Sequence, residues 1–384
     1  MQTKFKLKPL AAGAFVLLAG VVQAQEASPA AVVITGSRIP RASLEGPSAV
    51  TVITGDDITR QGFKNVFDAL TNQSQNSGFV QGADYGNTFT PSANAISLRG
   101  LGPNHTLVLL NGRRMADFPI AYEGTVNFTN LANIPSSVVE RIEILSGGAS
   151  AVYGSDAIAG VVNIILKKQA NGYDLNLKAG TTTRGGGSDK RLQFTGGHSF
   201  DKLNTLFSVE LLERDPLWSA DRDFMASKTG VAPTSVLARK NVSSGKYVDP
   251  GTTCSDIGDL YGGSTVKYTA KAGSYCASPK VGPTYWTTQT KNSSQNLFGS
   301  ANYELSDSAT LFAEALYGNN RSSNNTRGPS WTSRSATDSY FWNQATSRYE
   351  AWSRYISPEE MGGAGRYNRR WDDQAASLSL GLRG

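Results

Sequence analysis

At 384 residues, with 39% hydrophobic side chains and a formal net charge of +6, the chain is long enough for two or three ordinary domains, or for one large β structure with a smaller companion. Lys4, Lys6 and Lys8 supply part of that charge at the N-terminus, so the rest is only mildly basic, and no Lys/Arg stripe points to nucleic acid. No apolar run is long enough for a transmembrane helix, which excludes a helical membrane protein but not a membrane β-barrel, where only every second strand residue must face lipid.

The three lysines precede an apolar run over 10–22 and the small-residue pattern Val22-Gln23-Ala24. Basic start, short apolar core and small-residue site together predict a secretory signal over 1–24, with Gln25 as the first mature residue. The run is too short to serve as a membrane anchor. In an exported chain the only two cysteines, Cys254 and Cys276, are expected to pair. A metal site is the alternative, but neither cysteine has a second ligand at C-x-x-C spacing.

A polar leader over 25–31 runs into Val32, Val33, Ile34, Thr35 and Gly36. This β-prone run suits an extended segment that adds to another protein's sheet, and equally the first strand of the following domain. A strand is expected over 48–53, then a capping-box helix from Thr54-Gly55-Asp56-Asp57 to near Gly62, then a second helix over 64–70. Residues 71–95 read as a glycine-rich loop carrying Phe79, Tyr85 and Phe89. Strands follow over 96–99 and 106–110, and Asn111-Gly112 makes a hairpin turn into Arg113-Arg114-Met115. An aromatic loop over 116–128 then leads to strands over 141–145 and 161–166. The Gly- and Ser-rich connection between those strands holds Gly147, Gly148, Tyr153, Gly154 and Gly160. It lacks His, Cys and Lys, so it has the makeup of a packed structural device rather than a catalytic loop. Residues 48–168 thus form a small α+β domain.

Beyond Lys168 the period becomes two. Tyr173, Leu175 and Leu177 alternate with Asp174, Asn176 and Lys178, and five further segments repeat the pattern near 191–196, 207–212, 297–304, 311–317 and 376–383. Strands two to three and four to five are joined by short turns near 201–202 and 307–308, whereas 216–294 and 321–372 are long polar connections. Short turns therefore fall at one end and long loops at the other. That sorting is expected of a transmembrane barrel with periplasmic turns and extracellular loops, and a soluble sandwich has no reason for it.

The chain resembles the N-terminal part of a TonB-dependent outer-membrane receptor. The resemblance rests on VVITGSRI at 32–39, PSAVTVITGDDITRQGFKNVFDAL at 47–70, ISLRGLGPNHTLVLLNGRRM at 96–115 and VVERIEILSGGASAVYGSDAIAGVVNIILKK at 138–168. It implies a signal peptide over 1–24, a TonB-box leader over 25–46, an α+β plug domain over 47–168 and the first strands of an antiparallel transmembrane β-barrel over 169–384. Val32 to Gly36 would be the TonB box. Arg99, Gly100, Asn111, Gly112, Arg141, Glu143, Gly147, Tyr153, Gly154 and Gly160 would carry the plug's structural motifs. The family's barrel has about twenty-two strands around a plugged lumen, against six here, so an incomplete chain is expected.

The implied function is TonB-energised uptake of a scarce ligand, of the siderophore-iron, cobalamin or oligosaccharide class, across the outer membrane of a Gram-negative bacterium. TonB, the small ligand and outer-membrane lipid would be its partners, with no nucleic acid and no cofactor. Tyr85, Phe89, Phe118 and Tyr122 are candidate ligand contacts, because aromatic faces suit all three ligand classes. Packing against the barrel wall or one another is the plainer role for any one of them. Arg99, Arg113, Arg114 and Arg141 are expected to make plug-to-barrel ion pairs. A non-transporting or sensing receptor fragment is the alternative, although only seven residues separate Gln25 from Val32, which disfavours a signalling receptor. A secreted adhesin is a third class. Enzymatic function is not expected: His105 and His198 are the only histidines, and no zincin, nucleophile-elbow or P-loop pattern occurs. No metal site or catalytic residue is assigned.

Overall fold

The computed structural model describes residues 50–78, 81–85, 90, 92–147, 149–333 and 340–384. The expected signal and leader, with Val32 to Gly36, and also Phe79, Phe89 and Gly148 lie outside the described residues.

The first part of the chain builds a five-stranded sheet in the order β1-β4-β5-β2-β3, from β1 (Val50–Thr54), β2 (Thr106–Leu110), β3 (Arg113–Arg114), β4 (Val139–Ser146) and β5 (Gly160–Leu166). β5 runs parallel to β2 and antiparallel to β4. Helix α1 (Gly55–Arg60) starts where the capping box lies: Thr54 Oγ1 accepts from Asp57 N at 3.1 Å and Asp57 Oδ2 from Thr54 N at 3.1 Å. Such a cap stabilises a short helix by about 1 kcal/mol. Helix α2 (Val66–Thr71) buries Val66, Ala69 and Leu70 against Ile142, Ile144, Val162 and Ile164 in the core of the expected plug.

The strand expected over 96–99 does not form. Leu98 pairs with Asn76 only as an isolated bridge, because side chains take the backbone donors: Leu98 N donates to Thr106 Oγ1 at 3.0 Å and Ser97 N to Asn76 Oδ1 at 3.0 Å. Such local bonds compete with a ladder. Between β4 and β5 the connection is partly helical, with α3 (Ser150–Tyr153) and a 3-10 turn over Ser155–Ala157.

The six alternating segments form one antiparallel sheet, the wall, from β6 (Gly172–Gly180), β7 (Asp189–Ser199), β8 (Leu203–Arg214), β14 (Lys291–Ser306), β15 (Ala309–Asn324) and β19 (Arg369–Arg383). Each pairs with the next in this series, and the short turns at 200–202 and 307–308 share one end, here the lower end. The sheet is inverted relative to a soluble one. Leu175, Leu177, Leu378 and Leu380 point outward and are 59–72% exposed, while Ser208, Glu210 and Asn296 point toward the plug at 4% or less. Only a few apolar side chains on the inner face, Leu206, Phe298 and Leu316, join the plug core. On the outer face the rings of Tyr173 and Phe207 close over Gly196, and Phe194 packs against both.

The two long connections at the upper end are not irregular loops. The first supplies β9 (Leu217–Trp218), β10 (Thr234–Asn241), β11 (Val266–Ala270), β12 (Gly273–Ser278) and β13 (Thr287–Gln289); the second supplies β16 (Ser330–Thr332), β17 (Phe341–Asn343) and β18 (Arg348–Tyr355). β9 pairs with β13, and the others join into one sheet through the β10–β18 pair. This cap has a core of Val236, Leu260, Tyr261, Val281 and Tyr285. Helices α4 (Thr253–Asp256) and α6 (Pro358–Met361) also lie here, together with the turn α5 (Leu260–Gly263), in which Tyr261 and Gly262 are left-handed; the sequence suggested no helix in this region. For α6 the signal was present, since Ser357 and Glu360 form a capping box of the same kind as Thr54 and Asp57. Cys254 in α4 is disulfide-bonded to Cys276 in β12, with Cα atoms 5.1 Å apart.

Candidate functional site

The functional geometry lies in the seam between plug and wall. Asn111 and Gly112 have φ of +50° and +75°, as a two-residue hairpin turn requires. The turn also orients the Asn111 amide: Oδ1 accepts from Leu166 N at 2.8 Å, and Nδ2 donates to Glu314 Oε1 on the wall at 3.2 Å. Arg113, next in the hairpin, pairs with the other oxygen of Glu314, and Arg383 from β19 donates to Oε1 at 2.9 Å. Both guanidiniums lie over the Phe312 ring, with Cζ 5.1 and 4.2 Å from its centroid.

Of the four arginines expected to bridge plug and wall, only Arg113 is seen to do so. Arg114 pairs with Asp156 at 2.5 Å and also donates to the Tyr153 carbonyl, within the plug. Arg141 Nε donates to the buried Glu143 at 2.8 Å, and its other end pairs with Glu140. It sits on β4, which β1 and β5 flank on both sides, so its partners come from its own sheet. Arg99 has φ of +56°, next to Gly100, and its guanidinium lies against Gly147 inside the plug. Tyr153 packs on Leu107, Leu109, Leu145 and Val161, and the Arg114 guanidinium lies beside Gly154. At Gly160 a Cβ would stand 2.3 Å from the Leu145 carbonyl oxygen, so this position admits glycine alone.

Deeper in the seam Glu210, at 4% exposure, is flanked in register by Gln193 and Asn296. Ser136 Oγ of the plug donates to Glu210 Oε2 at 3.2 Å, Gln193 Nε2 reaches both Ser136 Oγ (2.9 Å) and Glu210, and Ser137 and Ser208 meet at 2.7 Å. Toward the upper end Arg214 holds Asp84 with two bonds of 2.6 and 3.1 Å, and Thr290 N donates to the same carboxylate at 2.8 Å. Asp84 thus ties an upper plug loop to the wall.

Tyr85, Phe118 and Tyr122 are the aromatic candidates among the described residues. Tyr85 follows Asp84 and is 38% exposed. Phe118 stacks on Phe128 at 5.3 Å and Tyr122 meets the same ring edge-on at 6.3 Å, so both spend a ring face on packing. Burial, with smaller contributions from Glu123 and Tyr85, raises the Tyr122 phenol and keeps it a neutral donor. Phe118 also lines a cleft of about 660 Å³ between plug residues 113–120 and strands β15 and β19, with Asn130, Asn133, Glu314 and Asp373 among its polar groups. Among the described residues no group of three or more His, Cys, Asp or Glu is arranged to hold a metal ion. Sequence reasoning missed Glu314, Glu210, Asp84 and Arg214. For Glu210 and Glu314 the signal was a carboxylate at an inward position of an alternating strand.

Residues 42–161 match the family model of the TonB-dependent receptor plug domain. Among solved structures the chain is similar to a ferric enterobactin receptor mutant of Pseudomonas aeruginosa, at 19% identity over 75% of this chain and 36% of that one, TM-score 0.46. It is also similar to the siderophore receptor PirA of the same organism, at 15% identity over 88% and 42%, TM-score 0.40. A third match is the ferripyoverdine receptor of the outer membrane of that organism, at 12% over 75% and 27%, TM-score 0.42. The chain thus spans between about a quarter and two fifths of the length of these receptors.

Proposed function

The chain carries the plug domain of a TonB-dependent receptor over residues 42–161, and from that premise we propose that it belongs to an outer-membrane receptor that imports a scarce ligand with energy delivered by TonB. In this reading residues 1–24 are the export signal, 25–46 the TonB-box leader, 47–168 the plug and 169–384 wall strands with their outer connections. The wall lies in the outer membrane with its lower end in the periplasm and the cap outside. The ligand is of the siderophore-iron, cobalamin or oligosaccharide class, with Tyr85, Phe89, Phe118 and Tyr122 as its candidate contacts.

The observation that carries this reading is the inverted wall wrapped on the plug. A sheet with leucines 59–72% exposed on one face and a nearly water-free row of Ser, Asn and Glu on the other is stable only if the outer face meets lipid and the inner face meets a polar partner. The plug is that partner, held by hydrogen bonds that water can replace.

Val32 to Thr35 pair with TonB as an added strand, through main-chain bonds. In the full-length receptor, Val33→Pro removes one donor and fixes φ. Uptake, followed with a panel of ferric siderophores, cobalamin and oligosaccharides, is expected to fall to the level of a TonB-deficient strain, with surface binding unchanged. Undiminished uptake by the variant would sink the assignment.

A further inference from the structure

The outer face of the wall changes character toward its upper end. Leu297, Tyr317 and Ala376 lie in register across β14, β15 and β19 and close the apolar band. Two residues up, Gln295, Asn319 and Gln374 form a neutral polar row, followed by Ser293, Arg321 and Asp372, and then Lys291, Ser323 and Arg370. Lys291, Arg321, Arg370 and Asp372 are all exposed. Arg321 Nε donates to Asp372 at 2.9 Å; among the described residues Lys291 and Arg370 have no ion-pair partner.

We propose that Lys291, Arg321 and Arg370 form a docking site for the phosphate of an anionic lipid headgroup in the outer leaflet. The proposal rests on the membrane-embedded reading of the wall given above. The three cations stand on adjacent strands. At strand spacings of about 4.8 Å and about 6.6 Å per two residues, the tips of these long side chains can converge on one phosphate. With Glu213 opposite Ser293 on β8 and Asp372 beside Arg321, three cations stand against two carboxylates and still leave an excess positive charge, with an Arg fork and a Lys point charge to contact the oxygens. Continuity with the apolar band selects a lipid rather than a soluble anion, since acyl chains would lie along Leu297, Tyr317 and Leu378 directly below the charges. Lys190, by contrast, stands opposite Glu213 on the neighbouring strand, so it is compensated and serves as an internal control.

The test uses the full-length polypeptide in bilayers of phosphatidylcholine mixed with phosphatidylglycerol, and native mass spectrometry of the lipid retained on extraction. Retained phosphatidylglycerol is expected to be enriched about tenfold over its share in the bilayer. In a Lys291→Gln/Arg321→Gln/Arg370→Gln variant the enrichment should fall to parity, and in Lys190→Gln it should persist. Enrichment that survives the triple substitution overturns the site. Should the triple variant fail to insert, salt on the unaltered protein decides: about 0.5 M should abolish the preference by screening, and a salt-independent preference overturns the site. Displacement of the lipid by millimolar inorganic phosphate would overturn the lipid assignment. Insertion without any preference defeats the headgroup site alone, whereas failure of the unaltered protein to enter bilayers of either composition defeats the membrane reading beneath it.

Discussion

Arg113 of the plug hairpin and Glu314 of wall strand β15 are paired across the seam although 201 residues separate them. The Glu314 side chain is 11% exposed and takes donors from Asn111, Arg113 and Arg383. Glu314→Gln would leave two guanidiniums facing a neutral group. With Arg113 37% exposed and partly screened by solvent, the cost is expected to be about 1–3 kcal/mol. Protection of the β2 and β3 amides against hydrogen exchange should drop accordingly, and unchanged protection would contradict the pairing.

Gly160→Ala tests the junction of β4 and β5. The new Cβ would meet the Leu145 carbonyl oxygen at 2.3 Å and Leu98 Cδ1 at 2.9 Å, with φ at +145°. A shift of backbone in the plug core is then unavoidable, and a loss above about 3 kcal/mol is expected. Loss of protease resistance in the plug would report it. Gly112→Ala is the milder comparison, because nothing lies within 4 Å of its Cβ position and only the left-handed φ opposes it.

Reduction of the Cys254–Cys276 bridge acts on the cap alone. The bridge closes a loop with a sequence separation of 22, worth about 3 kcal/mol on a chain-entropy estimate. Cys254→Ser with Cys276→Ser should speed proteolysis within 234–278 and leave cleavage of the plug unchanged. Equal destabilisation of both parts would show that they do not unfold separately.

Acid should loosen the joint between the two cap connections. Glu350 is 1% exposed and accepts from Arg239 Nε and Nη2 at 2.9 and 3.0 Å. Hydrogen bonding to Arg239 is the main cause that holds its carboxyl below the ordinary 4.5; burial opposes it, and Asn343 and Trp352 assist. A carboxyl with a lowered folded-state pKa stabilises the fold above its unfolded value and loses that contribution as pH falls through the folded value. The cap's unfolding midpoint should therefore be flat above about pH 5 and decline below it, followed through the fluorescence of Trp352. Glu350→Gln should remove that acid-sensitive portion.

Much of this architecture is legible in local pattern. Thr54 with Asp57, Asn111-Gly112 and the period-two runs each specify an element through neighbours in sequence, and the wall emerges with its six strands in the expected order. The stretch 96–99 misled because Ile96 and Leu98 alternate like a strand, while Asn76 and Thr106, distant in sequence, take its donors. The cap escaped for a related reason. Its strands are as short as two residues and pair across two connections, Ala238 with Ser353 for instance, and no local period announces such a partner. At the site, Arg113, Arg114 and Arg141 look equivalent in sequence. Which one crosses the seam depends on what flanks each strand, a property of the assembled sheet.

The row of Gln193, Glu210 and Asn296 that faces Ser136 and Ala132 sets the mechanics of the plug. Sliding two oily surfaces apart demands work proportional to the area wetted, released only when they rejoin. A surface of hydroxyls, amides and one carboxylate behaves otherwise, because each bond that breaks can be exchanged for one to an entering water at a small net difference. The seam is in effect a lubricated bearing: firm while its bonds hold across the gap, yet able to give way to a modest sustained pull once water enters at one edge.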